Sequence, residues 1–589
     1  MARKVTFDFT PSVYQQKIFD FITNGSGNGV VEAYAGSGKT TTIVTAMKLI
    51  PRDKKCLFIA FNKSIAEELT KRLEGRNNIT VRTLHSLGYL MTRRNLGSNI
   101  EIDEYKYRNY VKKNIAELTT TVNELDSKKK LNDYIESITS LIDFARFNLV
   151  DTDEEINNIA DKYDIAVSYD ECSVVRKCLK WGSENFSTID YTDMIWLPNY
   201  LSMKPIGMQY DWVFLDESQD TSIASSNLFL KTIKKDGRFI AVGDEYQSIY
   251  QFAGASEDAI KFLKNYPNTT TLPLPISYRC PRIVIDLARQ FVPLIQPRED
   301  APEGTFRDNC KISEIHDGDM VLSRTKTPLV ELYMKLLKKK VSCYIKGLDI
   351  GQNLIELINS VDTDELGKDL MEDGIFVRLY DKLFNERNQL MFTRGLDFDD
   401  ATLSSTILEK YDTMTTLATI AERCRTKEEL ILKINEIFSE NESGVCLSTV
   451  HKAKGLEADN VYILCRSTMP SKMAKHAWQI QQENNIIYVA YTRPKQKLGF
   501  VSEKEIKPSP ASSEPMKVID DLRFIERRVC EVLGKQPMER LESVELARFK
   551  LQNKTKVEFP IINEVVEIPT VTSADKKNEE LLSELESLF

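Results

Sequence analysis

Features that define membrane, secreted and metal-cluster proteins are scarce in this 589-residue sequence. No run approaches the ~18–20 consecutive apolar residues that a membrane-spanning helix needs. The N-terminal residues 1–12 lack the apolar core of a secretory signal. None of the 10 cysteines belongs to a Cys-x-x-Cys pair, which disfavours zinc and iron–sulfur sites and favours buried thiols in a reducing compartment. We therefore expect a soluble, cytoplasmic protein with no membrane partner.

An excess of basic residues is also missing. The sequence has 79 Lys and Arg against 87 Asp and Glu, which gives a formal net charge of −8. This total neither indicates nor excludes nucleic-acid binding, because binding needs only a local basic cleft. Hydrophobic residues make up 42% and charged residues 28%, so wholesale disorder is excluded. The length suggests about three to five domains.

Short apolar runs alternate with amphipathic helical stretches, which is typical of a parallel α/β sheet. Two stretches, 91–185 and 350–440, instead favour helices and read as insertions. Prolines and serines mark a linker at about 506–515. The predicted segments are 1–90 with 186–275 (first domain), 91–185 (first insertion), 276–349 with 441–505 (second domain), 350–440 (second insertion) and 506–589 (linker and C-terminal tail).

A phosphate-binding loop is predicted between an apolar run and a helix-compatible stretch. Residues Ala33 to Thr40, Ala-Tyr-Ala-Gly-Ser-Gly-Lys-Thr, match the P-loop with Ala in place of the first Gly. Glycines let backbone N–H groups approach phosphate oxygens, and the helix N-terminus adds partial positive charge. Lys39 suits the β- and γ-phosphates and Thr40 suits Mg²⁺. The residues predicted to bind ATP here are Ala35, Gly36, Ser37, Gly38, Lys39, Thr40 and Thr41.

A second acidic motif supplies the carboxylates that such an ATPase needs. Asp216 follows the apolar run Trp212 to Leu215 and is predicted to hold the metal. Glu217 beside it is predicted to activate the attacking water. A solvated acidic turn is the alternative, but the upstream P-loop favours the catalytic interpretation.

The whole motif set, in order from about residue 9 to about residue 500, resembles the UvrD/Rep/PcrA branch of superfamily 1 helicases. The resemblance implies an α/β fold of two RecA-like domains with parallel sheets, each with a mostly helical insertion, and ATP in the cleft between them. The further ATP-site residues it implies are Gln15 for adenine (Gln16 is the alternative), Gln247 for the γ-phosphate, Tyr278 for stacking on adenine, Arg279 and Arg493 as arginine fingers, and Glu457 for the ribose.

The same resemblance implies a path for single-stranded DNA. Aromatic side chains can stack on any base and therefore grip a strand without regard to sequence. Two departures stand out: Phe252-Ala253 replaces the usual Trp-Arg, and Asn484-Asn485 stands where arginines are frequent. The implied DNA contacts are Phe61, Asn62, Lys63, Thr83, His85, Tyr250, Phe252 and His451.

The resemblance therefore implies an ATP- and Mg²⁺-dependent DNA helicase that moves 3′→5′ on single strands and at junctions with duplex, in replication, repair or recombination. A translocase that strips proteins from DNA and an ATP-gated scaffold are the alternatives. The last residues, Leu585 to Phe589, resemble peptides that dock on sliding clamps, although a terminal helix packed on the body is also open. The compact second insertion would suit a phage protein, acting in a bacterial or infected cell.

Overall fold

The structure is a computed structural model that describes residues 9–119, 128–249, 257–438, 443–474 and 476–538. Its strands are β1 (Asn28–Ala33), β2 (Cys56–Ala60), β3 (Ile79–Thr83), β4 (Glu101–Ile102), β5 (Thr188–Ile189), β6 (Tyr210–Leu215), β7 (Ile233–Gly243), β8 (Thr269–Leu274), β9 (Ile276–Ser277), β10 (Gln296–Pro297), β11 (Thr305–Cys310), β12 (Met320–Ser323), β13 (Cys343–Ile345), β14 (Val445–Thr449), β15 (Ala458–Ile463) and β16 (Pro494–Val501).

Helices connect these strands and form the two insertions. They are α1 (Val13–Asn24), α2 (Lys39–Leu49), α3 (Lys63–Arg72), α4 (Leu84–Leu96), α5 (Lys106–Leu118), α6 (Lys128–Asn148), α7 (Asp153–Lys162), α8 (Cys172–Glu184), α9 (Tyr191–Tyr200), α10 (Ile223–Leu230), α11 (Glu257–Asn265), α12 (Arg282–Ala288), α13 (Thr327–Lys338), α14 (Leu348–Asn359), α15 (Ile375–Arg394), α16 (Phe398–Thr402), α17 (Ser405–Ala421), α18 (Lys427–Ile437), α19 (Ala477–Tyr491) and α20 (Pro515–Leu533). Among the described residues, none of these helices is long and apolar enough to cross a membrane.

The first domain is built on a parallel sheet with the strand order β3-β2-β6-β7-β1-β8. The register is set by pairs such as Val30 with Ala241 and Phe58 with Phe214. The central strands β2 and β6 are apolar and mostly buried, as expected for a sheet covered by helices on both faces. Because all six strands run the same way, the loops that follow β1, β2, β3, β6 and β7 gather at one edge of the sheet.

The first insertion leaves and rejoins the first domain at one point, since the short strands β4 and β5 pair in parallel. Buried charges then join its helices α5 and α6 to α9. Asp193 on α9 is fully buried and accepts hydrogen bonds from Lys106 Nζ at 2.6 Å and Arg146 Nη1 at 2.8 Å. Burying three charged groups is tolerated only with such mutual pairing, so the network fixes the insertion on the domain.

The second domain repeats the architecture, with a parallel sheet in the order β11-β16-β15-β12-β14-β13. Two parallel α/β sheets with helical insertions are the fold class that the sequence predicted, and this prediction is confirmed. The exact limits of the five segments stay predictions. The loop after β14 and the C-terminal half of α19 face the first domain through contacts described below.

The second insertion shares one continuous apolar core with the second domain. Asp412 on α17 also caps the N-terminus of α13 in the second domain. Its carboxylate accepts hydrogen bonds from the Lys326 backbone N–H at 2.9 Å and the Thr327 hydroxyl at 3.0 Å. The N-terminal N–H groups of a helix need such acceptors. The insertion is thereby joined to the domain by both packing and hydrogen bonds.

The composition predicted a linker at about 506–515, but this segment is packed. Ile506, Ser509 and Ala511 are buried. Pro510 and Pro515 each begin a helical turn, because proline is well suited to the first helical position. The apolar face of α20 then packs on α15, so the chain up to residue 538 belongs to the body of the second insertion.

A buried ion pair fastens α20 and gives a testable consequence. Arg387 on α15 binds Glu526 on α20 through two hydrogen bonds of 2.9 and 2.7 Å, and both side chains are nearly inaccessible to water. Arg387→Ala is expected to lower the free energy of unfolding by about 3–5 kcal/mol, because it leaves a buried carboxylate unpaired. Urea unfolding followed by circular dichroism would measure this loss.

Two further variants define the control. Arg378 lies on the same helix and pairs with the exposed Asp373 just before it, and Arg378→Ala should cost less than about 1 kcal/mol. The double change Arg387→Met with Glu526→Leu should recover most of the loss, since apolar residues of similar volume can replace a buried ion pair. Equal effects of Arg387→Ala and Arg378→Ala would contradict the proposed anchoring of α20.

Candidate active site between the two domains

The P-loop lies between β1 and α2 and touches the second domain. Gly36 and Gly38 have φ angles of +70° and +74°, which favour glycine. A Cβ atom on Gly36 would lie 2.6 Å from Ser277 Oγ and 2.7 Å from Arg279 Cβ. The Ser37 hydroxyl is buried and has no hydrogen-bond partner among the described residues. A polar cradle at a helix N-terminus with an unsatisfied hydroxyl is suited to an anion.

The predicted acidic pair lies directly opposite Lys39. Asp216 and Glu217 follow β6, and Glu217 adopts a left-handed φ of 48° that turns the chain sharply. Lys39 Nζ donates to Glu217 Oε1 at 2.8 Å. Burial lowers the pKa of Lys39, but the carboxylates of Glu217 and Asp216 outweigh burial and raise the pKa overall. Lys39 is therefore a fixed cation at the end of the P-loop.

The two carboxylates have different electrostatic surroundings. Burial raises the pKa of Asp216, and the charge of Glu217 raises it further. Burial also acts on Glu217, but Lys39 and Lys454 outweigh it and hold the pKa of that carboxyl below its usual value. The Glu217 backbone N–H donates to Asp216 Oδ1 at 3.0 Å. The charge of Lys39 partly offsets the rise in the pKa of Asp216, but Lys39 pairs with Glu217, so Asp216 has no ion pair among the described residues.

The residues present fit a magnesium ion bound together with a nucleotide. Thr40, in the first turn of α2, has no side-chain hydrogen bond to any described residue, and Asp216 forms no ion pair with one. A hydroxyl and one carboxylate are the hard oxygen ligands that Mg²⁺ takes beside phosphates and water. Within the described ranges no cluster of three His, Cys, Asp or Glu side chains could hold a metal by itself.

A hydrogen-bond network links the acidic pair to the loop after β7. Gln219 donates to the carboxylates of Glu217 and Asp220, and its Oε1 accepts the Asp244 backbone N–H at 3.0 Å. Gln247 Nε2 donates to Asp244 Oδ2 at 2.6 Å. Gln247, the predicted γ-phosphate sensor, is thus connected to the predicted catalytic carboxylate of Glu217 by hydrogen bonds through Asp244 and Gln219.

The predicted adenine residues lie together on the other side of the P-loop. Gln15 is buried, donates to Thr42 Oγ1 at 3.0 Å, and accepts from the Tyr278 hydroxyl at 3.4 Å. Gln16 is exposed and bonds Asp20 on the same helix, so the geometry favours Gln15 over Gln16. The Tyr278 backbone N–H donates to the Gly36 carbonyl at 2.8 Å, and its ring remains 39% exposed at the cleft.

The two predicted arginine fingers occupy the second domain's wall of the cleft. Arg279 Nε donates to Glu457 Oε2 at 2.6 Å, which brings together two predicted ATP-site residues. Arg493 is 1% exposed and donates to the carbonyls of Val489 and Leu456. Among the described residues no carboxylate lies within ion-pair distance of Arg493. Burial and the nearby Arg279 charge lower the pKa of Arg493 to about 10, so it stays charged at neutral pH.

The predicted DNA residues of the first domain line the same sheet edge. Phe61 is 47% exposed at the end of β2, and Lys63 projects into solvent from the start of α3. The side chains of Asn62 and Thr83 cap α3 and α4. Burial lowers the pKa of His85, whose ring meets the exposed ring of Tyr191 edge-on at 6.4 Å.

His451 follows β14 on the second domain, and cations surround it. Burial, together with the charges of Arg324, Lys326, Lys454 and Lys452, lowers the pKa of His451 to about 3. A neutral imidazole within a basic cluster can donate a hydrogen bond to a phosphate. Tyr250 and Phe252 lie outside the described residues, as does the predicted docking peptide Leu585 to Phe589.

Comparison with known families identifies this arrangement. The UvrD/REP helicase N-terminal domain matches residues 15–267, and the UvrD-like helicase C-terminal domain matches residues 276–505. The chain belongs to the UvrD/Rep helicase family. The resemblance in the motifs is thereby confirmed, and with it the assignment of the two sheets to RecA-like domains. The roles of the individual site residues stay predictions.

Curated relatives carry names consistent with the family. The chain is 25% identical over 518 residues to the F-box DNA helicase protein 1 of Schizosaccharomyces pombe, a match that covers 80% of the chain and 55% of the relative. It is 27% identical to the ATP-dependent DNA helicase PcrA of Bacillus subtilis, over 44% of the chain and 36% of the relative. The chain is 26% identical to the ATP-dependent DNA helicase Rep of Buchnera aphidicola, over 47% of the chain and 42% of the relative. The chain thus spans about a third to a half of these relatives' lengths.

Several side chains of this helicase-family chain lie in the site although the sequence did not predict a role for them. Tyr488 donates to Asp244 Oδ2 at 3.3 Å and accepts the Ala35 backbone N–H at 2.9 Å, so it bridges the domains. Lys454 pairs with Asp220 across the cleft. Lys454 lies between the predicted site residues His451 and Glu457, and Tyr488 lies a few residues before Arg493, but spacing within a motif does not reveal which members reach the opposite domain. Tyr191 carried no motif signal.

Proposed function

We propose that this chain is an ATP-dependent DNA helicase that translocates 3′→5′ on single-stranded DNA. The observation that carries the proposal is the two-sided cleft. Lys39 and Glu217 line the first-domain wall. Arg279 and the buried Arg493, which has no carboxylate partner among the described residues, line the second-domain wall. Four charged groups arranged around a phosphate cradle suit the transfer of a phosphoryl group between domains.

Binding begins with competition for Lys39. The ammonium pairs with Glu217 at 2.8 Å, and phosphate oxygens in the P-loop would attract the same ammonium. When Lys39 turns toward phosphate, Glu217 loses its strongest cationic partner and becomes a better acceptor for a proton from water. Mg²⁺, held by Thr40 and Asp216, would neutralise charge on the phosphates. Tyr278 and Gln15 would hold the adenine.

Hydrolysis then changes the contact between the domains. Arg279 and Arg493 stabilise charge on the transferring phosphoryl group, and both belong to the second domain. Loss of the γ-phosphate removes the ligand that holds the two walls together, so the cleft opens. A strand lying across both domains is moved when the grip on each side alternates. Exposed aromatic rings such as Phe61 supply a grip that tolerates any sequence.

Strand displacement on two matched duplexes tests this proposal. One substrate has a 3′ single-stranded tail and the other a 5′ tail, both with ATP and Mg²⁺, and Lys39→Ala serves as the inactive control. We expect unwinding of the 3′-tailed substrate at least about tenfold faster than of the 5′-tailed one, since a translocase must load on a strand of the correct polarity. Preference for the 5′ tail would overturn the polarity.

Two other results would redirect the proposal. ATP consumption on single strands without unwinding of either duplex would favour a translocase that displaces bound proteins. DNA binding without ATP consumption would favour an ATP-gated scaffold. The clamp-docking role of the C-terminal residues remains a separate prediction.

A further inference from the structure

One first-domain loop, residues 245–249, is contacted by both domains: Ser248 Oγ and Glu245 bind Gln219 and Lys264 of the first domain, and α19 of the second domain binds the loop backbone. It follows β7 and includes Gln247. The Asn485 side chain on α19 is 2% exposed, and its Nδ2 donates to two carbonyls of the loop, Glu245 at 3.2 Å and Ser248 at 2.9 Å. Its Oδ1 accepts from Gln481 Nε2 at 2.9 Å, so the amide orientation is fixed.

Packing reinforces these hydrogen bonds. Ile249 is fully buried in the apolar core of the second domain, together with Ile486 and Tyr488 of α19. The rings of Tyr246 and Tyr488 meet edge-on at 6.3 Å. Lys454 Nζ donates to the Gln247 carbonyl at 2.6 Å. Separation of the second domain would therefore remove the hydrogen bonds to three of the loop's backbone carbonyls and the packing around Ile249.

The loop lies between a predicted nucleotide contact and the predicted DNA contacts. Gln247 within it is the predicted γ-phosphate sensor, and the chain continues directly to Tyr250 and Phe252, the predicted base-stacking residues. A movement of α19 would displace the loop backbone, because the Asn485 amide donates its hydrogen bonds to backbone carbonyls and not to a flexible side chain. The contacts thus join the nucleotide site and the DNA path through one short segment.

We propose that Asn485 is a positioning residue that ties the 245–249 loop to the second domain, so that nucleotide-driven domain closure changes the grip on DNA. The inference rests on the proposed helicase function and adds to it the residue that transmits the coupling. Asn485 does not touch ATP or DNA in this scheme. Its effect is on the linkage between the two ligands, which is reciprocal by thermodynamic necessity.

The experiment compares Asn485→Asp with Asn484→Asp in the full-length chain. The aspartate keeps the shape of asparagine but loses the two donated hydrogens and places a carboxylate against two carbonyls. Asn484 is the matched control, since among the described residues it makes no hydrogen bond to the loop. Fluorescence anisotropy would give the Kd for labelled oligo-dT with and without a non-hydrolysable ATP analogue, and steady-state assays would give ATPase rates with and without DNA.

In the wild type and Asn484→Asp, the analogue is expected to change the DNA Kd by about fivefold or more. In Asn485→Asp the ratio of the two Kd values should fall to within about twofold of one. Stimulation of ATP hydrolysis by DNA should also be lost. The rate of hydrolysis without DNA should stay within about twofold of the wild-type rate. A purely structural defect would weaken both Kd values together and leave their ratio unchanged. Asn485→Ala, which adds no charge, should reproduce the loss and serves if the aspartate variant does not fold.

Retention of the full Kd ratio in Asn485→Asp or Asn485→Ala would overturn the inference alone. An equal loss in Asn484→Asp would overturn it as well, because the effect would then not depend on the loop contacts. A wild type that hydrolyses ATP without any response to DNA would instead overturn the proposed function, and the inference with it. The failures of the two claims are therefore distinguishable.

Discussion

Arg493→Ala is expected to lower kcat for ATP hydrolysis by about 10³–10⁵-fold, the range measured for arginine fingers. The guanidinium is buried on the second-domain wall and stays charged at neutral pH, with a pKa of about 10. A buried cation without a carboxylate partner is costly, and a transferring phosphoryl group would supply the missing negative charge. Single-turnover hydrolysis with saturating ATP and single-stranded DNA would measure the loss.

Two variants make this prediction decisive. Lys495→Gln removes a nearby cation that is 44% exposed and should leave kcat within about tenfold, since it faces Glu457 at the rim. Arg493→Lys keeps the charge but not the planar, forked guanidinium group, and its kcat should also fall by at least about a hundredfold. Because Arg493 also binds two backbone carbonyls, thermal unfolding of each variant is measured in parallel. A folded Arg493→Ala with near-normal kcat would remove Arg493 from the proposed mechanism.

The second large effect is expected from Glu217→Gln. The amide keeps the shape of the side chain and cannot take a proton from water, so kcat should fall by about 10²–10⁴-fold. The nucleotide Kd should change only a few-fold, because the P-loop itself is intact. Rapid-quench hydrolysis together with nucleotide competition binding would separate the two quantities.

The control for Glu217→Gln is the same chemical change at Glu32. That residue lies on β1 just before the P-loop and pairs with Lys264 at 2.6 Å. Glu32→Gln should keep kcat within about twofold, since neutralising this carboxylate removes only one side of a partly exposed ion pair. If Glu217→Gln hydrolyses ATP as fast as Glu32→Gln, Glu217 is not the general base and another residue must take that role.

Much of the fold was predictable because its signals are local. The P-loop glycines, the apolar run of β6 and the helical pattern of 91–185 each reflect the conformation of a few adjacent residues. The carboxylates after β6 were predictable for the same reason, because a strand end places its next residues at the sheet edge. The family resemblance then put these parts in order.

The linker interpretation of residues 506–515 was wrong for a related reason. Proline and serine mark a break in secondary structure, but whether the broken segment is exposed depends on its neighbours. Here Ile506 and Ala511 meet an apolar surface of the second insertion, and Arg387 pairs with Glu526 beyond it. Composition cannot reveal a partner that lies more than 100 residues away.

The sequence by itself determined the parallel α/β class, the P-loop, the acidic pair and the family. Only the tertiary structure decided which side chains meet across the cleft: Tyr488 with Ala35, Lys454 with Asp220, and Asn485 with the 245–249 loop. The physical reason is that motif chemistry is set by backbone conformation over a few residues. Interdomain contacts depend on the relative placement of two sheets, which no short stretch of sequence encodes.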